Sequence, residues 1–488
     1  MKICIVAEGS YPYVVGGVST WTHQLIRSFP EHEFVIVSIL AERSQRGKFQ
    51  YELPGNVWEV HEVYLNDADW RSRKHGRIRL DKKEYQALRS LVLNREVEWE
   101  VIFRLFQEKI SSVNDILMGA DFLKIITEYY QSYYSQLVFT DFLWMMRSIY
   151  LPMFFTLQMG LPRADVYHCV CTGYAGVLGS IGKYLHGGRM LVSEHGIYTR
   201  EREEELIKAK WVQGIFKNIW IEQFRKMSGL AYEKADVVVS LFEHARGLQI
   251  EEGCPEEKTR VIPNGIDVGR FEALPGKGEE DAGWVNVGAV VRVAPVKDIM
   301  TMIQAFRFAK ERNPALRLYV MGPWEEDEDY AKECFELVRV MSVPDIEFTG
   351  KVDVREYYGR MDVMLLTSIS EGQPLAVMES FAAGKPVVAT DVGDCRGLIL
   401  GESDGFGEAG IVVPVMDVAG ISAALLRLAD DGAERARMGE NGYRRVTSLY
   451  RAESMYDAYR ALYQELGQSG PEQKQKEGEQ AWRELALN

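Results

Sequence analysis

The sequence has 488 residues, of which 47% are hydrophobic and 26% are charged. This composition is typical of a folded, water-soluble protein with two or more domains, and it excludes an intrinsically disordered chain. The net charge of −14, from 57 basic and 71 acidic residues, disfavours nucleic acid as a partner, although an anionic small molecule could still bind at a local positive site.

The first predicted strand, at residues 3–7, stands at the start of the chain. Its apolar run is too short for a signal peptide and suits a buried strand instead. The six cysteines show no paired metal-ligand spacing and are too few to cross-link a chain of this size. We therefore expect a cytoplasmic protein with reduced cysteines.

Strand and helix patterns alternate through the first half of the chain, as in a doubly wound parallel sheet. Apolar strand patterns lie at residues 3–7, 34–40, 165–170, 190–194 and 235–240, and helix patterns end at Phe29 and cover 174–185 and 201–231. We predict a Rossmann-like first domain at residues 1–270, expected to carry the acceptor site.

A long helix-rich segment, at about residues 67–160, interrupts this alternation and is predicted to be an inserted helical subdomain. Residues 138–159 are apolar enough to suggest a membrane span. Asp141, Arg147 and Pro152 break that stretch, so a buried or partner-facing helix pair is the preferred interpretation.

The strand pattern begins again after a Pro- and Gly-containing linker at about residues 267–283. Strands are predicted at residues 284–290, 316–321, 346–349, 362–367, 387–390 and 410–413, and a helix with Pro374 in its first turn is predicted to end at Gly384. We predict a second Rossmann-like domain at 284–450, a helix at 451–467 that crosses back to the first domain, and a loosely held tail at 468–488. The fold class is thus α/β, with two facing Rossmann-like domains and a shared ligand cleft at the carboxyl ends of their strands.

Two cations follow the first strand of the second domain. Arg292 and Lys297 occupy one loop at the carboxyl end of that strand, where a guanidinium and an ammonium could neutralise a diphosphate. The N-terminus of the helix near Pro374 also favours an anion. The alternative is a pair of solvated surface charges.

Two glutamates bracket the start of that helix. Glu379, inside the helix, could accept both hydroxyl hydrogens of a ribose, and Glu371, in the preceding loop, could bind hydroxyls of a sugar beyond the diphosphate. Either glutamate alone could be a solvated or capping carboxylate. Gly372 and Pro374 beside them make the functional interpretation stronger.

The pattern Glu371-Gly-x-Pro with Glu379 eight residues later resembles the signature of retaining family-4 glycosyltransferases, which have the two-domain GT-B fold. Residues 263–267 (PNGID), the Arg292 and Lys297 pair and the Gly16-Gly17 loop match the same family in order, so that the resemblance covers about residues 1–465. It implies a donor site of Gly16, Gly17, Arg292, Lys297, Glu371, Gly372, Pro374, Leu375 and Glu379, with a UDP-sugar as donor substrate.

Residues 9–21, 164–168, 172–176 and 194–202, together with the helical insertion, are similar more narrowly to the cytosolic glycosyltransferases of bacterial Pel exopolysaccharide synthesis. This resemblance implies UDP-glucose as the donor, a growing polysaccharide as the acceptor, and a membrane-bound synthesis and export complex as the partner.

The resemblance also places His195 near the reacting sugar. A lone histidine is more often structural, and a lone Gly-Gly pair such as Gly16-Gly17 is often an ordinary tight turn. The family match favours function in both cases.

Two acidic runs, at residues 201–205 and 327–329, are interpreted as solvated charges rather than as catalytic or metal-binding groups. We therefore expect neither a metal nor another cofactor, because the cations and the helix terminus can do the work of a divalent ion.

The expected mechanism is transfer with retention, in which Arg292 and Lys297 stabilise the leaving diphosphate while Glu371 and His195 orient the sugar. Two other functions stay open from the residues alone. One is a UDP-sugar epimerase or hydrolase of similar fold, and the other is a non-catalytic scaffold of an export complex.

Overall fold

The computed structural model describes residues 1–65, 78–401 and 404–468. The described chain divides into two compact units: residues 1–261 with residues 459–468, and residues 262–458. The sequence-based limit of the first domain, residue 270, falls inside the second unit. The start of the predicted insertion and nearly all of the predicted tail lie outside the described residues.

A seven-stranded parallel sheet forms the centre of the first unit, in the order β3-β2-β1-β4-β5-β6-β7. Its middle strands are continuous apolar runs because helices cover both faces of such a sheet. The strands are β1 (Lys2–Glu8), β2 (Glu33–Leu40), β3 (Val57–Tyr64), β4 (Val166–Cys169), β5 (Arg189–Ser193), β6 (Val237–Ser240) and β7 (Thr259–Val261).

Helices that accompany this sheet outside the insertion include α1 (Gly17–Ser28), α7 (Tyr174–His186), α9 (Ile215–Lys234) and α10 (Glu243–Glu251). The prediction of one helix at 201–231 was wrong. The segment forms α8 (Tyr198–Lys208) and then α9, and Gly214 before α9 has a φ of 57° that a helix interior does not allow.

The described part of the insertion, from residue 78 onward, contains five α-helices: α2 (Lys82–Val92), α3 (Trp99–Arg104), α4 (Val113–Leu117), α5 (Ala120–Tyr129) and α6 (Phe139–Gln158). Several aromatic side chains of this segment are buried together, and the ring centroid of Phe154 lies 4.8 Å from that of Phe106 and 5.9 Å from that of Phe122. No helix among the described residues is long and apolar enough to cross a membrane.

The second unit has a six-stranded parallel sheet in the order β10-β9-β8-β11-β12-β13. Its strands are β8 (Val285–Val290), β9 (Leu316–Met321), β10 (Ile346–Gly350), β11 (Val363–Leu366), β12 (Val387–Thr390) and β13 (Gly410–Val413). Its helices are α11 (Ile299–Arg312), α12 (Glu328–Val340), α13 (Arg355–Tyr358), α14 (Leu375–Ala382), α15 (Cys395–Leu400), α16 (Val418–Asp430) and α17 (Gly432–Leu449).

Helix α18 (Ala452–Gln468) begins in the second unit and belongs to the first from Tyr459 onward.

The end of the predicted linker also has a defined place, in the second unit. The Asp281 carboxylate is fully buried and accepts from Arg360 Nε at 2.8 Å and Nη2 at 3.1 Å. This bidentate bond lowers the pKa of Asp281 to about 2.

Both sheets have the strand order of a Rossmann fold, so the predicted α/β class with two Rossmann-like sheets is confirmed. In each sheet the order reverses beside its first strand, between β1 and β4 and between β8 and β11. Ligands of open α/β sheets bind outside the carboxyl ends of the strands at such a point. In the second unit, the loops that follow β8 and β11 meet this requirement.

Candidate functional site

Lys297 and Glu371 form an ion pair at the reversal point of the second sheet. Lys297 ends a short turn after β8, and its Nζ donates to Oε1 of Glu371, in the loop after β11, at 2.5 Å. The side chains are 18% and 12% exposed. Ser368 Oγ donates to the same Oε1 at 2.6 Å. The structure thus brings together two of the predicted site residues.

Hydrogen bonds to main-chain carbonyl groups hold these two loops against each other. Thr367 Oγ1 donates to the carbonyl oxygens of Lys297, at 2.9 Å, and of Asp298, at 3.1 Å, and the Ile369 N–H donates to the Val296 carbonyl at 2.9 Å. The Lys297 ammonium is therefore presented from a fixed backbone, which favours a preorganised cation site.

Arg292 has a different partner in the structure. Its guanidinium pairs with Glu326, in the loop after β9, and its side chain is 45% exposed. Gly322 lets the two loops approach, because a Cβ on it would lie 2.1 Å from the Val291 carbonyl oxygen. The two predicted diphosphate-binding cations thus hold two separate carboxylates, and their joint action on one ligand stays a prediction.

Helix α14 begins at Leu375, with Pro374 as the residue before it in an extended conformation (φ −73°, ψ 116°). The expectation that Pro374 lies inside the first turn was therefore wrong by one position. A proline at this place still suits the helix start, because its missing N–H would have no intrahelical partner there. Gly372 lies two residues earlier, in the loop that carries Glu371.

Glu379 lies on α14 and accepts a hydrogen bond on Oε2 from the Tyr358 hydroxyl at 3.2 Å. Burial raises the pKa of Glu379, while the Tyr358 bond and the charge of Arg270 oppose that rise. Tyr358 is fully buried. Sequence reasoning missed Tyr358, which lies on α13 and has no periodic relation to Glu379.

Gly16 and Gly17 mark the start of α1 in the first unit. Gly16 precedes the helix with an extended backbone (φ 176°, ψ 177°), and Gly17 is its first residue. A Cβ at either glycine would meet no described atom within 4 Å. These glycines are therefore not required by a left-handed turn, and the open space beside them leaves room for the predicted ligand approach.

His195 lies in the short loop between β5 and α8. Burial lowers its pKa to about 4, so the imidazole is neutral at pH 7. Its Nε2 is buried without a hydrogen-bond partner among the described residues. The Trp21 ring packs edge-on against the imidazole, with 4.4 Å between the ring centroids. A neutral imidazole held in this way can exchange a hydrogen bond with a sugar hydroxyl.

The neighbouring Glu194 was missed by sequence reasoning. Its carboxylate is buried and accepts from Tyr232 Oη at 2.7 Å, Gln249 Nε2 at 3.0 Å, Thr172 Oγ1 at 3.1 Å and the Tyr198 N–H at 3.4 Å. Burial raises the pKa of Glu194 in spite of these bonds. The carboxylate ties the His195 loop to three other segments of the unit.

His168, on β4, is a second buried histidine that sequence reasoning missed. Its Nδ1 is bonded to Tyr463 Oη at 2.7 Å and its Nε2 to Ser193 Oγ at 2.8 Å. Burial lowers its pKa to about 3. This satisfied neutral histidine joins the end of α18 to the strand that precedes Glu194.

The acidic run at residues 327–329 caps a helix and faces solvent. Asp327 caps α12 by accepting from the Tyr330 N–H at 3.1 Å, and Asp329 is 97% exposed. Among residues 1–65, 78–401 and 404–468, no three His, Cys, Asp or Glu side chains are grouped so that they could hold a metal ion. All six cysteines are free thiols.

A family model described as "Glycosyl transferases group 1" matches residues 284–431. This range contains Arg292, Lys297, Glu371 and Glu379. This match indicates a group 1 glycosyltransferase domain in the second unit. The two Rossmann-like sheets give the chain the GT-B fold. The chain belongs to the family described as "Domain of unknown function (DUF3492)", whose model matches residues 1–257, more than half of its length.

Curated relatives match parts of the chain. WcaL of Escherichia coli strain K12, named provisionally as a colanic acid biosynthesis glycosyltransferase, is 29% identical over 244 residues, which are 48% of this chain and 55% of that protein. An Escherichia coli UDP-Gal:alpha-D-GlcNAc-diphosphoundecaprenol alpha-1,3-galactosyltransferase is 24% identical over 312 residues, which are 62% of this chain and 75% of that protein. The chain spans about half the length of several curated relatives that it matches.

A solved structure shares the fold over nearly the whole chain. Anabaena HepE in complex with UDP-glucose superposes with a TM-score of 0.59, at 14% sequence identity, and the superposition covers 95% of this chain and 100% of HepE. At this identity the likeness establishes the fold alone.

Proposed function

We propose that the protein is a retaining glycosyltransferase of the PelF type, which transfers a sugar from a UDP-sugar, with UDP-glucose as the expected donor, to a growing Pel exopolysaccharide. The observation that carries the proposal is the Lys297 and Glu371 pair, held by the loops after β8 and β11 where the strand order reverses. The name of the galactosyltransferase relative and the UDP-glucose bound to HepE support a UDP-sugar donor.

Lys297 is proposed to contact the donor diphosphate. Its ammonium is held by a carboxylate and a rigid loop, so a diphosphate can share this cation with Glu371 without a rearrangement of the main chain. Arg292 would leave Glu326 for a phosphate oxygen, since the pair is half exposed and its mutual attraction is screened by water. The negative charge on the leaving diphosphate grows as its bond to the sugar breaks. The two cations and the N-terminus of α14 would stabilise this charge most strongly in the transition state.

The carboxylates and His195 are proposed to orient the donor. Glu379 would accept the ribose hydroxyls, and Glu371 and His195 would bind sugar hydroxyls, with Gly16, Gly17, Gly372 and Leu375 giving close backbone approach. Retention follows if the acceptor oxygen attacks from the face that the diphosphate leaves. The acceptor's proton then passes to a phosphate oxygen of the leaving group, so no protein nucleophile is needed.

The proposed setting is the cytoplasm beside a membrane-bound Pel synthesis and export complex, with the helices of the insertion as the surface for that partner. No cofactor is proposed, and the diphosphate would be neutralised by side chains and the start of α14 rather than by a divalent ion. The resemblance of residues 9–21 and 194–202 to the Pel glycosyltransferases supports this assignment.

Calorimetric titration with UDP, ADP and GDP, first without metal and then with Mg²⁺, tests the proposal. We expect metal-independent binding of UDP, weakened about tenfold or more in Arg292→Ala and Glu379→Ala through lost charge-assisted bonds. Lys332→Ala, which removes an exposed cation from α12, is the matched control and should bind as the wild type does.

Three results would contradict the proposal. A folded protein that binds none of the nucleotides would favour the scaffold function. A UDP-sugar that is isomerised or hydrolysed with no acceptor present would favour an epimerase or a hydrolase. Binding that requires Mg²⁺ would exclude the metal-independent diphosphate site.

A further inference from the structure

Gln373 is a buried polar residue between Gly372 and Pro374, and it is only 5% exposed. Its side-chain Oε1 accepts from the Asn264 N–H at 2.7 Å, and its Nε2 donates to Asp394 Oδ2 at 2.7 Å. Its main-chain oxygen accepts from Asn264 Nδ2 at 3.3 Å. An N–H on one side and a carboxylate on the other fix which end of the amide faces which partner.

The loop after β12 also presses directly on the loop that carries Gln373. The Asp394 N–H donates to the Gly372 carbonyl at 2.9 Å. Gly393 has a φ of 53°, and a Cβ there would lie 2.1 Å from the Gly372 carbonyl oxygen and 2.4 Å from that of Glu371. Only glycine allows this approach, so the main chain at 371–372 has little freedom on that side.

The other end of the same loop is fixed as well. The Ser368 carbonyl accepts from Thr390 Oγ1 at 2.5 Å, and Ser368 Oγ donates to Glu371 Oε1. Glu371 therefore lies between one fixed point at Ser368 and another at Gln373. A shift of Gln373 would be transmitted over two residues to the carboxylate that holds Lys297.

A buried glutamine could simply satisfy the polar groups around it. That role would require good hydrogen bonds for Asn264 and Asp394 but no particular position for Glu371. The arrangement goes further, because the three contacts of Gln373 and the Gly393 approach all act on the three residues from Glu371 to Gln373.

We propose that Gln373 is a positioning residue for the sugar-transfer reaction: its amide, held between Asn264 and Asp394, sets the place of the Glu371 carboxylate relative to Lys297. The proposal rests on the proposed function, since Glu371 is taken to orient the donor sugar. Gln373 itself is not required to touch the substrate. Its loss should therefore reduce kcat much more than the affinity for UDP.

A charge exchange between the two bonded partners tests this role. Gln373→Glu keeps the acceptor for the Asn264 N–H but removes the amide donor to Asp394 and sets a second carboxyl group against it, and two ionised carboxylates this close repel each other. We expect kcat to fall about tenfold or more and the UDP dissociation constant to change less than about threefold, because a small displacement of an orienting group is costly mainly in the transition state.

The double variant with Gln373→Glu and Asp394→Asn should recover most of the activity. The new amide at position 394 can then donate to the carboxylate at position 373, which restores the bond with its donor and acceptor exchanged. Asp394→Asn alone keeps an acceptor for Gln373 Nε2, so its loss of kcat should be less than about threefold. Gln304→Glu on α11 adds the same charge to the second unit outside this contact and is the matched control.

The outcomes separate the two proposals. A wild type with neither UDP affinity nor sugar transfer refutes the proposed function. An active wild type with an unchanged kcat in Gln373→Glu, or with equal losses of kcat and UDP affinity, refutes the positioning role. If Gln373→Glu does not fold, the double variant decides: near wild-type kcat supports the role, and a folded double variant of low kcat overturns it.

Discussion

The two Rossmann-like units use opposite electrostatics at the carboxyl ends of their strands. In the second unit the groups there are ion pairs, Lys297 with Glu371 and Arg292 with Glu326. In the first unit burial disfavours charge: it lowers the pKa of His195 to about 4 and raises the pKa of Glu194. The second sheet presents ion pairs, and the first presents a neutral histidine and a carboxyl group whose charge is disfavoured by burial.

This difference indicates which part of a substrate suits each sheet. A paired cation keeps its charge and can exchange a carboxylate for a phosphate, so the second unit suits a diphosphate. Neutral histidine and buried hydrogen-bonded side chains match hydroxyl groups without the desolvation cost of a full charge. Four predictions test this comparison, from the largest expected effect to the smallest.

Glu194→Ala should cause the largest loss of stability. It leaves the buried donors of Tyr232, Gln249 and Thr172 without their shared acceptor. We expect the free energy of unfolding of the first unit to fall by about 3–5 kcal/mol. Urea denaturation followed by circular dichroism measures it, with the exposed Glu243→Ala as control. A loss below about 1 kcal/mol would mean that water readily replaces the carboxylate.

Lys297→Ala should have the largest effect on turnover with little effect on stability. The substitution removes a preorganised cation and leaves the Glu371 carboxylate without its ammonium partner. We expect kcat for sugar transfer to fall about 100-fold or more, which corresponds to a loss of about 3 kcal/mol in transition-state stabilisation. The measurement is steady-state turnover beside Lys332→Ala. Equal activity in the two variants would show that the second sheet's charges are structural.

Part of this comparison was predictable from the sequence. Continuous apolar runs such as β8 and β11 identify strands that are buried on both faces, and residues after parallel strands gather at one edge of a sheet. This reasoning placed Lys297 and Glu371, which are 74 positions apart, in one cleft, but it did not predict their ion pair. Strand β3 escaped prediction because it lies at the edge of the sheet and most of its residues are exposed or half-buried.

The buried polar groups of the first unit were much harder to predict. Glu194 follows β5 as an ordinary charged residue would, and its partners Tyr232 and Gln249 lie 38 and 55 positions away. His168 is bonded to Tyr463 across 295 positions. Neither spacing has a periodicity that a pattern could detect, and the protonation of these groups depends on burial that only packing determines.

His168→Gln should reduce the loss of unfolding free energy that the protein shows as the pH falls. The folded-state pKa of His168 is lowered to about 3 from the ordinary 6.5, so its contribution is fully present above pH 6.5 and is lost as the pH falls. Between pH 7 and 5 this loss is about 2 kcal/mol in the wild type, and glutamine has no such loss. Urea denaturation at both pH values tests it, with the exposed His61→Gln as control. Parallel profiles for wild type and His168→Gln would exclude a neutral buried His168.

Asp394→Asn should have the smallest effect on stability, and its pH dependence should be opposite to that of His168→Gln. Asp394 differs from the ion pairs of the second unit, as Glu379 does, because burial raises its folded-state pKa to about 6 from the ordinary 3.8. Its contribution to stability is therefore fully present below pH 3.8 and is lost as the pH rises through 6. The variant should gain stability relative to the wild type between pH 4 and pH 7. Asp391→Asn, which removes a half-exposed partner of Arg396, should show no such gain. If the difference in unfolding free energy between Asp394→Asn and wild type did not change with pH, Asp394 would be ionised in the folded protein at no cost. Ionised carboxylates would then stand beside the ion pairs at this edge of the second sheet.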